Sequence, residues 1–146
     1  MEEIVSKSNI QIHQKATDWQ QAIRISGKTL IDCGSVKANQ IEKMVQSVID
    51  LGPYIVLMPY FALAHAAPSE DVIKDDISIA IFDNDINFGS ENDPVRIVMC
   101  LACTDGKNHV EKLSKIAQKL LDSEADIISK LMKADSVDKV YELLNG

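Results

Sequence analysis

An α/β fold is what this sequence predicts: a single domain whose mixed β-sheet is flanked by helices on both faces. Three observations carry that prediction. PVRIVMCLAC, residues 94–103, is a nearly continuous apolar run of strand length, as a central strand covered on both faces requires. DISIAIF, residues 76–82, places Ile77, Ile79 and Ile81 on one side with the period of a strand. Helical patterns enclose this strand-rich middle at both ends, so amphipathic helices are available to cover the sheet. A chain of 146 residues, 46% of them hydrophobic, fits one compact domain spanning 1–146, with a core large enough to fold without disulfides or metals.

The elements follow in order. Thr17 or Asp18 can cap a first helix in which Trp19, Ala22, Ile23, Leu30 and Ile31 recur at helical spacing, with Cys33 and Gly34 at its end. A second helix is expected from Ala38 to Leu51, with Ile41, Met44, Val45, Val48 and Ile49 on one face and Gly52-Pro53 as the stop. A short buried strand is expected around Tyr54 to Leu57; Pro59 then begins an irregular approach that leaves His65 on a loop. After DISIAIF, Asp83-Asn84-Asp85 reads as a turn into a short INF strand. The apolar strand at 94–103 is followed by TDGKN and a long helix with Val110, Leu113, Ile116, Ala117, Leu120 and Leu121 on one face. Two shorter helices, about Ala125 to Met132 and Ser136 to Leu144, close the chain, the last capped by Asp135 or Ser136.

Composition excludes several classes of function. Twenty-two acidic residues against 15 basic ones give a formal charge of −7, so a nucleic acid would be repelled at long range. The N-terminal MEEIVSKSNI lacks the basic start and apolar core of a signal peptide, and the expected location is the cytoplasm. The longest apolar run, Tyr54 to Ala64, is broken by Pro59 and falls short of the roughly 20 residues that span a bilayer. Cys33, Cys100 and Cys103 make an odd count, against a disulfide framework. Cys100 and Cys103 form a C-x-x-C inside a strand, where positions three apart point to opposite faces, so no metal site is expected there.

Of three histidines, His13 lies in the polar QIHQK and is expected at a solvated or edge position. The other two follow buried strands, where α/β folds build sites. His65 lies within YFALAHAAP; an ionisable ring in an apolar run is either a core histidine satisfied by a backbone carbonyl or a working group. His109 falls in the first turn of the long helix, with Asn108 or Asp105 as candidate cap. There the free N–H groups and the positive end of the macrodipole favour an anion and a neutral ring. The residues by themselves describe a two-histidine, anion-friendly site; no G-x-S-x-G elbow or Ser-His-Asp set completes a hydrolase.

ALAHAAP, the PV-initiated apolar strand and the H-x-x-x-L start of the long helix together resemble the enzyme IIA domains of the phosphoenolpyruvate-dependent sugar phosphotransferase system, mannitol and fructose type. The family motif A-L/I/M-P-H-A/G is matched by Ala62-Leu63-Ala64-His65-Ala66, with Ala64 in place of the usual proline, and His109 matches the second family histidine. GPYIVLMPYFALAHAAP and FGSENDPVRIVMCLACTDGKNHVEKL look most like the ascorbate-type components. Mannitol-type proteins usually carry an Arg-Glu pair in the second helix, where this chain has Ser47 and Val48. The likeness covers essentially the whole chain.

That resemblance implies a phosphocarrier. His65 would accept a phosphoryl group at Nε2 from the histidine-containing phosphocarrier protein and donate it to a cysteine of enzyme IIB, which works with the membrane permease enzyme IIC; His109 would bond the transferring phosphoryl oxygens. No cofactor is implied, and the cargo would be ascorbate or a related sugar or sugar acid. Transfer through a loose transition state asks mainly for positioning and charge stabilisation, which fits such a site. A regulatory module of the same fold, reading phosphorylation state without serving transport, is the alternative. Apolar residues left over on the terminal helices would allow a homodimer.

Overall fold

The computed structural model describes residues 4–120 and 126–145, and of residues 108–110 the backbone alone. A 3-10 turn at Lys7–Asn9 leads into strand β1 (Ile10–Gln14), followed by helices α1 (Trp19–Asp32) and α2 (Ala38–Leu51). Strands β2 (Val56–Met58), β3 (Tyr60–His65), β4 (Asp76–Ile86) and β5 (Val95–Ala102) come next, then α3 (Gly106–Leu120), α4 (Ile127–Lys133) and α5 (Val137–Asn145). The five strands form one mixed sheet in the order β1-β4-β5-β3-β2. β1 is parallel to β4 and β3 to β5, while β4–β5 and β2–β3 are antiparallel.

The strand period decides which helices cover which face. Phe61, Leu63, Ile77, Ile79, Ile81, Ile97, Met99 and Leu101 pack with Ile116, Leu120, Ile127, Leu131, Val140 and Leu144 of α3, α4 and α5. Their alternates Ala62, Ala64, Ala80, Phe82, Val98 and Cys100 meet Ala22, Ile23, Leu30, Ile41, Met44, Val45 and Val48 of α1 and α2. β5 lies at the centre with both faces buried, as its composition predicts. Cys100 and Cys103 accordingly fall in opposite layers. Against the sheet, Ser26 donates to the Val98 carbonyl at 2.7 Å and Ser78 donates to the Ser26 carbonyl at 2.6 Å, which satisfies polar groups that burial would otherwise penalise. Gly27 lets α2 approach: a Cβ there would stand 2.5 Å from Ile41 Cδ1.

Helix ends obey local chemistry. Asp18 Oδ1 accepts from the Gln21 N–H at 2.8 Å, and Ser136 Oγ accepts from the Lys139 N–H at 3.1 Å, so both expected caps are present. Gly34 and Gly52 take positive φ after α1 and α2.

Four expectations are corrected. Pro59 does not begin an irregular segment: lacking an N–H, it sits in the turn between antiparallel β2 and β3, and His65 is the last residue of β3 instead of a loop residue. Asp83-Asn84-Asp85 does not break β4, because each polar side chain finds a partner on a neighbouring segment: His13, Ala16 and Arg96 respectively. Ile49 is 55% exposed, and Gln40 takes an inward place on α2 instead, donating to the Ala67 carbonyl and accepting from Ser69 Oγ. The large exposed apolar side chains of the described residues lie on α2 and on the segments from Tyr54 to Tyr60 and at Ile73, not on the terminal helices where a homodimer was expected to find them.

Strand β1 alternates Ile10 and Ile12 with Gln11 and His13 over only five residues, a period too short for the sequence reading to mark; His13 is exposed there, at a sheet edge, as its polar surroundings predict. Leu121 and Ala125 lie outside the described residues. Among the described residues no helix is long and apolar enough to cross a membrane.

Candidate functional site

β3 and β5 run side by side in the same direction, and their register sets His65 level with Leu101. Both chains leave the sheet at this end. From β3, the segment 66–75 is tied back to the loop before α2: Lys37 N–H donates to the Asp71 carbonyl at 2.8 Å, and Ile73 N–H to the Ser35 carbonyl at 2.8 Å. From β5, Thr104 N–H bonds Asp75 Oδ1 at 2.6 Å, and α3 starts two residues later. Strand ends and a helix N-terminus thus share one end of the sheet, the place where open α/β sheets gather ligands.

The histidine itself is half-buried, its ring at the strand's end while Ala64 behind it is fully buried. Its Nδ1 lies 2.8 Å from the Leu63 carbonyl oxygen. A carbonyl only accepts, so Nδ1 carries the proton, and in the neutral ring the lone pair resides on Nε2. The backbone carbonyl that would satisfy a core histidine is therefore present, and the same bond sets which ring nitrogen holds the lone pair.

The ring opens on a cleft of about 430 Å³ between the second half of α2 and the segment after β3, lined among others by Lys43, Ser47, Asp50, Tyr54 and Pro68. Lys43 and Ser47, four residues apart, share one helix face. Lys43 pairs with Asp71 at 2.9 Å, and Asn39 bonds the same carboxylate at 2.9 Å. The Lys43 ammonium, with Asn39, holds the Asp71 carboxyl below the ordinary carboxylate range. Ser47 Oγ donates to the Met44 carbonyl at 2.7 Å and stands 3.5 Å from the His65 carbonyl, while Tyr54 Oη donates to Ser47 Oγ at 3.1 Å. Small side chains at Ala66 and Ala67 form the cleft's other rim.

For His109 the structure gives the backbone alone: residue 109 lies in the first turn of α3, and its side chain lies outside the described residues. Asn108 is inside the helix and so is not its cap; Asp105 precedes the helix directly. Sequence reading missed Tyr54 as a neighbour of His65, since nothing in the spacing of an aromatic near a Gly-Pro stop reveals which side chain it will meet. Ser47, a departure from the family's usual Arg-Glu pair, lines the cleft and joins Tyr54 to the Met44 carbonyl.

The model of the family described as phosphoenolpyruvate-dependent sugar phosphotransferase system, EIIA 2, matches residues 3–146. The chain is 27% identical over 139 residues to the mannitol-specific cryptic phosphotransferase enzyme IIA component of Escherichia coli K12, covering 95% of this chain and 93% of that one. It is 27% identical over 143 residues to the ascorbate-specific PTS system EIIA component of Salmonella typhimurium LT2, covering 97% and 92%. Among solved structures, the complex of enzyme IIAMtl with phosphorylated enzyme IIBMtl from Escherichia coli is similar with a TM-score of 0.83 at 26% identity, covering 96% of each chain.

Proposed function

This chain belongs to the phosphoenolpyruvate-dependent sugar phosphotransferase EIIA 2 family, whose members carry phosphoryl groups, and on that premise we propose that His65 is its phosphoryl acceptor through Nε2. The observation that supports the assignment is the 2.8 Å bond from Nδ1–H to the Leu63 carbonyl, which leaves the nucleophilic pair on Nε2 at the mouth of an open cleft. The donor is the histidine-containing phosphocarrier protein. The Nε2 pair forms the new N–P bond while the donor's P–N bond breaks and its electrons return to the donor ring. The His65 ring then bears positive charge, which the Nδ1–H bond to Leu63 supports.

In the second transfer, a cysteine thiolate of enzyme IIB attacks phosphorus, and the P–N bond electrons return to His65. Such transfers need little covalent help from the protein, so positioning and charge stabilisation dominate. His109 and the first-turn N–H groups of α3 are the donors assigned to the phosphoryl oxygens. The enzyme IIB in turn serves the membrane permease, enzyme IIC. The names of the relatives favour ascorbate or a related sugar acid, or mannitol, as the transported cargo, which this component does not touch.

Intact mass after incubation with phosphoenolpyruvate, enzyme I and the phosphocarrier protein tests the reading. Wild type should gain one acid-labile phosphoryl group, His65→Ala none, and His109→Ala should label yet pass the group on poorly. An unlabelled wild type would overturn the carrier assignment and leave a regulatory module of this fold.

A further inference from the structure

The geometry points to Tyr54 as a positioning residue that fixes the His65 imidazole for transfer, an inference that rests on the carrier reading above. The two rings meet at right angles with centroids 5.4 Å apart. Gly52, at φ +85°, reverses the chain at the end of α2, and the Tyr54 N–H donates to the Gly52 carbonyl at 2.8 Å, which folds the tyrosine back over the last turn of the helix. Its hydroxyl is tied to Ser47 Oγ at 3.1 Å, and Ser47 in turn to the Met44 carbonyl at 2.7 Å. The phenol ring is therefore anchored to α2 at its far end and set against His65 at its side.

Stability does not account for this placement. Tyr54 is 40% exposed and lies outside both core clusters, so its packing contribution is small compared with that of a buried aromatic. What its ring does touch is the imidazole of the proposed acceptor, His65. A half-turn of the imidazole about its Cβ–Cγ axis would put Cδ2–H where Nδ1–H stood and Cε1–H where Nε2 stood, breaking the bond to Leu63 and presenting a carbon-bound hydrogen to the incoming phosphorus in place of the lone pair. The Leu63 carbonyl opposes that rotation from one side, and the Tyr54 ring restrains it from another. Edge-to-face pairs of this kind are favoured over stacked ones and hold the two rings at a fixed angle to each other. Tyr54 thus serves to orient the imidazole before transfer.

Two substitutions separate this role from a merely structural one. Tyr54→Phe keeps the ring and removes the hydroxyl tether; Tyr54→Leu removes the ring. Long-range 1H–15N spectra of the unphosphorylated protein report the His65 tautomer, and the rate of labelling by the phosphocarrier protein reports transfer. We expect a single Nδ1–H tautomer in wild type and Tyr54→Phe, a mixed population in Tyr54→Leu, and labelling slowed about two- to fivefold in Tyr54→Leu with recovery in Tyr54→Phe. A Tyr54→Leu protein with the wild-type tautomer and rate would overturn the inference. So would Tyr54→Phe behaving like Tyr54→Leu, since the tether and not the ring would then be responsible. The tautomer measurement needs no phosphorylation: a wild type that fails to label sinks the carrier reading, while the spectra still decide the role of Tyr54.

Discussion

Nδ1 of His65 is bonded to the carbonyl of Leu63, two residues back on the same strand, at 2.8 Å. Because side chains two apart on a strand share a face while the intervening carbonyl environment is fixed by the sheet, this contact is set by β3 itself and does not depend on any partner protein. On the proposed assignment, it leaves Nε2 as the one ring nitrogen able to attack phosphorus. Phosphoryl transfer should therefore yield a single phosphohistidine isomer, substituted at Nε2, and 15N shifts of the labelled chain should show one ring pattern. A mixture of isomers would mean that the Leu63 bond does not hold in solution.

Ala64 stands where the family motif has proline, and in this chain it is a fully buried strand residue paired with Cys100 across β3–β5. The sheet already restrains the backbone that proline would stiffen. Ala64→Pro should keep His65 as the labelled residue but change the transfer rate several-fold, because the ring fixes φ and removes an N–H next to the proposed acceptor histidine. Stopped-flow labelling of the two proteins decides it; identical rates would show that the position is kinetically silent.

Asp71 anchors the segment that forms one wall of the cleft. Its carboxyl is held low by the Lys43 ammonium and by Asn39. A carboxyl lowered in the folded state adds stability above its unfolded value and loses that addition as pH falls through the lowered folded value. Asp71→Asn should therefore unfold at a lower temperature than wild type at neutral pH, and the gap should close as the pH falls below the ordinary carboxylate range. The difference should also shrink in high salt, since Lys43 is partly exposed. Equal melting temperatures at neutral pH would show that the pair is without consequence.

The three thiols differ sharply in environment. Burial pushes Cys100 up to about 11, and burial together with the nearby Asp75 carboxylate pushes Cys103 up to about 11, while Cys33 is exposed. At pH 8 a thiol with that value is thiolate in only about one molecule in a thousand, and both lie behind the sheet layers. The folded protein should give about one reactive thiol per chain with a chromogenic disulfide at pH 8, and denaturant should release the other two. Cys33→Ser should abolish the fast reaction. Three fast thiols in the native state would contradict the packing of β5.

Much of this molecule was legible in its residues. Covalent neighbours and period determine where α1, α2 and α3 form, which isoleucines of β4 share a face, and that 94–103 lies at the centre of the sheet, because a strand apolar on both sides has nowhere else to go. The same reading singled out His65 and His109, the residues of the proposed site, and the motif around the first. Tertiary structure decided what period cannot. β1, whose alternation of Ile10 and Ile12 with polar residues is brief, is held as a strand by its pairing with β4, and Asp83-Asn84-Asp85 stays extended because His13, Ala16 and Arg96 wait across the neighbouring segments. Which nitrogen of His65 holds the proton, and which aromatic faces it, depends on a carbonyl and a ring delivered by β3 and by the turn after α2. Such pairings are set by the approach of one element to another, and no local pattern records them.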